Sequence, residues 1–311
     1  MVKPKSPNLS LKIANLDLKN PVMVASGTFG YAQEFKDLID LKKLGAIVTK
    51  TITLRGRQGN LPPRTCETPA GMLNSIGLEN PGIDKFIREK LPFLKKLGIP
   101  VIVSLAAEET PDEFVTLIKK LEQHPEVSAI ELNISCPNLK KDKLIAQDAQ
   151  ATLALVSSVR KLTGKCLIVK LSPNVTSITE IALAAQAAGA DALALINTLA
   201  GMRIDVYKRT PKLGAWVGGL SGPAIRPVAV KMVWEAYSKI KIPIIGMGGI
   251  IDTESALEFF IAGAAAISVG TANFIDPGAS LKIIAGIRQY MTENNMQNLS
   301  QLTGRLKACQ G

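Results

Sequence analysis

Histidine is nearly missing from this chain: one residue, His124, in 311. Histidine is the commonest general acid or base, and His124 stands before Pro125 in "KKLEQHPEV", where a helical pattern runs out. It reads as a solvated or satisfied helix-end residue, so any proton chemistry falls to other side chains. Long apolar runs are also missing, and no stretch of about 18 apolar residues is available to span a membrane. The opening "MVKPKSPNLSLKIANLDLKN" lacks the continuous apolar core of a secretory signal. The four cysteines, at 66, 136, 166 and 309, form no CxxC pair and no regular spacing. That argues against a zinc ribbon or a disulfide framework, and against a bound metal of that kind. Reduced thiols and a cytoplasmic location are expected.

What is present is the composition of a soluble globular protein, 47% hydrophobic and 20% charged. A net charge of +11 would suit nucleic acid, an acidic partner or an anionic ligand. The lysines are scattered along helical stretches such as "KDLIDLKK" and "LIKKLEQ", and no basic block is interleaved with aromatics. Solvated helix faces are the stronger reading, and no nucleic-acid partner is expected.

Short apolar or β-branched runs alternate with amphipathic helical stretches. "PVMVASG" precedes "QEFKDLIDLKKLG", and "AIVTKTIT" precedes "IDKFIREKLPFLKKLG". "IPVIVSLAA" precedes "TPDEFVTLIKKLEQH", where Thr110 and Pro111 suit an N-cap and first helical position. "AIELNISCP", "CLIVKLSP", "DALALINT", "IPIIGMGGI" and "AISVGTANF" each lead into a further helical pattern, giving eight strand–helix units. Eight units point to an α/β fold closed as a (β/α)8 barrel, with residues 1–311 as one domain. An open doubly wound sheet is the alternative, but "GTFGYAQE" supplies no G-x-G-x-x-G after the first strand. "LSLKIANLDLKN" reads as an N-terminal hairpin over the barrel floor, and the last 20 or so residues as a short terminal helix. Long loops at about 54–80 and 199–220 follow strands, so they belong on the C-terminal, active-site rim.

Several strands end on polar residues: Ser26 after "VMVA", Lys50 in "IVTK", Asn133 in "IELN", Lys170 in "LIVK" and Asn197 in "ALIN". A lysine ending an apolar strand is costly unless it meets an anion or water. Two such lysines suggest an anionic ligand; the plainer reading is that each snorkels to solvent. The last two strands end in "GMGGI" and "SVGTANF". Glycines there let backbone N–H groups approach an oxyanion, at the common phosphate site of this fold. A phosphate-bearing cofactor is expected.

Cys136 follows its strand by a short step and precedes Pro137, which prevents the strand from continuing. Near a lysine or backbone donors its thiol could titrate close to neutrality and serve as base or acid. A small buried apolar residue is the alternative. Asn133, Ser135 and Asn138 around it, in a chain nearly devoid of histidine, favour the chemical role.

In order, "NSIGLEN", "NISCPN", "VKLSPN", "INTLAGMRID", "GGLSGPAIRP", "GMGGI" and "VGTANF" resemble the class 1 dihydroorotate dehydrogenases over nearly the whole chain. "LSPNVT" and "GGLSGPAIRPVAV" are most similar to the catalytic subunit of subtype B. That subtype works with an electron-transfer subunit carrying FAD and a [2Fe-2S] cluster and passes electrons to NAD⁺. The resemblance implies FMN on this chain, with Ser26, Lys50, Thr51, Ser104, Asn133, Lys170, Ile196 and Gly222 near it. Gly248, Gly249, Gly270 and Thr271 match its phosphate cradle. Lys50, Asn74, Ser75, Ile76, Gly77, Leu78, Asn133, Asn197 and Thr198 match the enclosure of dihydroorotate or orotate. Cys136 matches the catalytic base, with Lys50 beside it. Dihydroorotate would lose a C5 proton to Cys136 and a C6 hydride to FMN, and the subunits would form a heterotetramer around a homodimeric core.

Two segments depart from the family. Ser104 stands where an FMN-contacting asparagine is usual, and "LKKDKLIAQDAQ" replaces a glycine-rich stretch that would cover the substrate. The second bears on lid closure, partner docking and the electron acceptor. Alternatives are the fumarate-using homodimeric subtype A, or a flavin barrel reducing another pyrimidine, of the dihydropyrimidine dehydrogenase or tRNA-dihydrouridine synthase type. A non-catalytic flavin-binding subunit is the reading from another class, and Cys136, Lys50 and Asn74 argue against it.

Overall fold

The computed structural model describes residues 6–135 and 145–308. Eight parallel strands close into a barrel in chain order: Val22–Val24, Ala46–Val48, Val101–Leu105, Ala129–Asn133, Cys166–Lys170, Ala192–Leu195, Ile244–Gly246 and Ala266–Val269. The eighth strand pairs with the first, Ile267 opposite Val22, which completes the ring. These segments are apolar on both faces because both faces are covered. Val22, Ile47, Val103, Ile130, Leu167 and Val169 point outward into the helical layer. Met23, Val48, Ile102, Ala129, Cys166 and Ile168 fill the interior.

The hairpin Leu11–Ile13 with Leu16–Leu18 puts Ile13, Leu16 and Leu18 into that same interior cluster. It immediately precedes the first barrel strand and so plugs the N-terminal mouth, as expected. Helices starting after Asp148, Ser177 and Asp252 are capped by those side chains, which accept from backbone N–H groups inside the first turn. Their strand-to-helix order fixes the C-terminal mouth as the functional side.

Three expectations change. The segment "QEFKDLIDLKKLG" is not a helix: it forms two 3-10 turns, Gln33–Phe35 and Leu41–Lys43. Ala32 is left-handed, Phe35 stacks on Phe29, and the Asp40 side chain caps the second turn, so local contacts displace the helical ladder. The second unit is helical but interrupted: between Ile83–Lys85 and Leu91–Lys96 lies a π-helical stretch, Phe86–Lys90. Pro92 has no N–H to return to residue 88, and Leu91 N bonds Phe86 O instead. In the tail, a 3-10 turn at Leu299–Gln301 replaces the expected helix, after Asn295 breaks the chain with φ of 54°.

The two rim loops are more ordered than the sequence suggests. Thr65–Thr68, Gly71–Asn74, Leu199–Gly201 and Gly218–Ser221 form a four-stranded antiparallel sheet, with Gly218–Ser221 between Leu199–Gly201 and Gly71–Asn74. Gly219 lies opposite Asn74. Among the described residues, no helix is long and apolar enough to cross a membrane.

Candidate active site

Two lysines meet the barrel mouth from opposite sides. Lys170 ends the fifth strand at 5% exposure, and its Nζ donates to Ser26 Oγ at 3.0 Å, beyond the end of the first strand. Lys50 follows the second strand, half-buried, with its backbone N–H donating to Gly30 O. No ion pair among the described residues includes either lysine. A buried ammonium with a hydroxyl and no carboxylate is incompletely compensated, so the mouth is built to take a negative charge.

Between the lysines runs a buried polar chain. Ser104 Oγ donates to Glu131 Oε1 at 2.9 Å and lies 3.0 Å from Thr51 Oγ1. Asn133 Nδ2 donates to Thr51 Oγ1 at 3.4 Å, and Asn197 Nδ2 donates to Asn133 Oδ1 at 3.2 Å. Asn197 Oδ1 accepts from Thr198 N at 2.8 Å. The strands dictate this meeting: Ser104 is in register with Glu131, and Asn133 with Lys170. Ser104 is fully buried, so it is a link between strands rather than a rim residue.

The glycine bowl lies at the seventh and eighth strands. Gly248 and Gly249 have φ of 125° and 75°, and Gly222 has 96°. A Cβ on Gly249 would come within 2.9 Å of the Gly222 carbonyl oxygen and 2.7 Å of Arg226 Cβ. Thr271 Oγ1 donates to Ser221 Oγ at 2.8 Å, tying the eighth-strand turn to the residue before Gly222. Gly270 faces Ala25 and Thr28. Ile196 is buried, and its N–H donates to Met247 O, one residue before Gly248. Glycines that let these turns pack closely against Gly71, Ile225 and Arg226, at the same barrel mouth as Lys170, suit a phosphate-bearing anionic cofactor.

The segment 74–78 closes the rim. Asn74 Nδ2 donates to Gly219 O at 3.3 Å. The Ser75 carbonyl accepts from Asn60 Nδ2, Gly77 O from Arg57 Nε, and Leu78 O from Asn80 Nδ2. Ile76 O accepts from Asn60 N. With its backbone so engaged, the segment keeps the buried Ser75 hydroxyl without a partner among the described residues. A buried hydroxyl without a protein partner can serve a ligand or an ordered water.

The expected site residues outside 136–144 lie on the C-terminal mouth or its sheet, except Ser104, which is buried below the mouth as a link between strands. Cys136 and the start of the divergent stretch, Leu139 to 144, lie outside the described residues. Two participants escaped the sequence reading. Glu131 was signalled by its two-residue spacing from Asn133, which puts both on the inner face. Asn174, in "LSPN", donates to Thr198 O and accepts from Ala200 N, anchoring the start of the 199–220 loop.

The chain is similar in sequence to known proteins. The family model described as dihydroorotate dehydrogenase matches residues 8–291. The "Dihydroorotate dehydrogenase B (NAD(+)), catalytic subunit" of Geotalea uraniireducens (strain Rf4) is 54% identical over 301 residues, covering 96% of this chain and 98% of the relative. The protein of the same name from Carboxydothermus hydrogenoformans is 53% identical, covering 96% and 97%. That from Geobacter sulfurreducens is 49% identical, covering 97% and 99%.

Proposed function

This chain belongs to the dihydroorotate dehydrogenase family, and from that premise we propose that it is the FMN-bearing catalytic subunit of an NAD⁺-linked enzyme oxidising (S)-dihydroorotate to orotate in pyrimidine biosynthesis. The observation that carries the proposal is the polar cluster at one barrel mouth: Lys170, without a carboxylate partner among the described residues, is in register with Asn133, which is bonded to Asn197. One barrel domain supplies the whole site.

FMN, when bound, supplies the two-electron acceptor for the hydride leaving C6. Gly222, Gly248, Gly249, Gly270 and Thr271 would hold its phosphate, while Lys170, Ser26, Thr51, Asn133 and Ile196 would hold the ring. Lys170 brings fixed positive charge to the place where negative charge accumulates, the protein's main lever on such a cofactor. Asn74, Ser75, Asn133, Asn197 and Thr198 present amide and hydroxyl groups suited to the alternating N–H and C=O groups of the substrate, with Ile76, Gly77 and Leu78 forming its wall. Lys50 would supply a positive charge for the substrate carboxylate or the flavin. Cys136 takes the C5 proton onto Sγ. A reactive thiol suits a reducing cytoplasmic compartment.

The relatives' names, each a catalytic subunit of an NAD(+) enzyme, support a separate electron-transfer subunit, and the resemblance to subtype B would give that subunit FAD and [2Fe-2S]. The assembly is a heterotetramer of two catalytic and two electron-transfer chains. Orotate formation by protein co-purified from its host, assayed with NAD⁺ and with fumarate, tests this reading. NAD⁺ should support turnover only with the partner present; turnover of the lone chain with fumarate would move it to the homodimeric type.

A further inference from the structure

Glu131 is 2% exposed in the barrel interior, and the chemistry above gives it no task. Its carboxylate is the acceptor at one end of the hydrogen-bonded chain described above, as Thr198 N–H is the donor at the other. Ser104 has one hydroxyl proton, and it is spent on Glu131 Oε1. The contact between Ser104 Oγ and Thr51 Oγ1 must then carry the Thr51 proton. Thr51, having spent that proton, can only accept from Asn133, so Asn133 turns Nδ2 toward Thr51 and Oδ1 toward Asn197. Asn197 turns Nδ2 toward Asn133 and keeps Oδ1 for Thr198 N–H. The backbone donor at Thr198 fixes the same orientation from the other end. All donors point toward the buried carboxyl group, and chains so aligned reinforce one another.

We propose that Glu131 is a positioning residue: acting through Ser104 and Thr51, it fixes the amide orientation of Asn133 and Asn197 and thereby which donors and acceptors the site turns toward a cyclic amide substrate. Among the described residues, each asparagine retains one N–H and one carbonyl lone pair without a partner, the complement of a ring amide. Reversal of either amide exchanges donor for acceptor and opposes like groups. The inference rests on the pyrimidine reading for the identity of the ligand, but not for the orientation itself. It also gives Ser104 a purpose where relatives of this family usually carry asparagine: a hydroxyl passes the direction on with a single proton.

The test compares FMN-loaded wild type with Glu131→Gln, Ser104→Ala and the double variant. Glutamine matches glutamate in shape but can donate to Ser104, which removes the constraint at that end and leaves only the Thr198 N–H to oppose amide reversal. In protein labelled with ¹⁵N-asparagine, the side-chain NH₂ resonances of Asn133 and Asn197 should form one set in wild type. They should shift or double in each single variant, although Asn197 lies several bonds away. Orotate affinity, read from the perturbed flavin absorbance, should weaken about 10-fold or more. The double variant should be no weaker than the weaker single. Unmoved amide resonances in both single variants overturn the proposal, as do affinity losses that multiply in the double. If wild type fails to bind orotate, the pyrimidine reading fails, while the amide resonances still decide whether Glu131 sets the orientation.

Discussion

Replacing Gly219 by alanine perturbs the rim of the site without touching the barrel core. Gly219 pairs with Asn74 in the sheet over the mouth, and its carbonyl accepts from Asn74 Nδ2. An added Cβ would press on Thr198 Oγ1 and come within 2.7 Å of Thr198 Cβ, whereas ordinary contact begins at 3.4 Å. The strand or Thr198 must therefore give by roughly 0.7 Å or more, and the β-branched threonine has little rotamer freedom to absorb it. Overpacking of this kind costs about 1–3 kcal/mol of stability. Because Thr198 N–H holds Asn197 Oδ1, the displacement passes to the substrate amides, and a misplacement near 1 Å costs about 10²-fold in rate. Anaerobic stopped-flow reduction of the bound flavin by dihydroorotate reads the rate, and a thermal melt reads the stability. Wild-type reduction kinetics in Gly219→Ala would refute the claim that this sheet positions the substrate residues.

Other outcomes follow from single side chains. Lys170→Met should weaken FMN binding about 10- to 100-fold, the loss expected for one charge-assisted hydrogen bond, while the cofactor-free protein melts no lower than wild type because a buried ammonium has been removed; fluorescence titration with FMN and melts of both apoproteins check the two signs. Cys136→Ala should keep FMN yet slow flavin reduction by about 10²–10⁴-fold near neutral pH, and unchanged kinetics would return the thiol to a packing role. Burial, reinforced by Asp191, pushes the Cys166 thiol up to about 12, so at pH 8 it should react with a thiol reagent only after denaturation; labelling of Cys166 in native protein, located by peptide mass, would contradict the packed interior.

The barrel was legible because its strands are continuous apolar runs that turn polar at one end. Ser26, Asn133, Lys170 and Asn197 announced the mouth for that reason, since the interior has no other use for them. The sheet over the mouth was not legible. Its segments "TCET", "GMLN", "LAG" and "GGLS" are short, half-exposed and rich in glycine, so they carry neither alternation nor strand propensity. Their pairing is a tertiary fact, set by glycines that let Gly218–Ser221 lie close against Asn74 and Thr198. The false helix at 33–43 arose from apolar spacing at Phe35, Leu38 and Ile39. Leu38 is exposed, and the Phe29–Phe35 stack decided the local fold instead. Glu131 was readable as an inward residue but not as a partner of Ser104, because strand register brings the two together across 27 positions.

The most direct measurement is an anaerobic titration of the yellow protein with dihydroorotate, following flavin absorbance and orotate together. Bleaching with one orotate formed per flavin reduced is the expected result. Bound FMN that stays oxidised in excess dihydroorotate would contradict it.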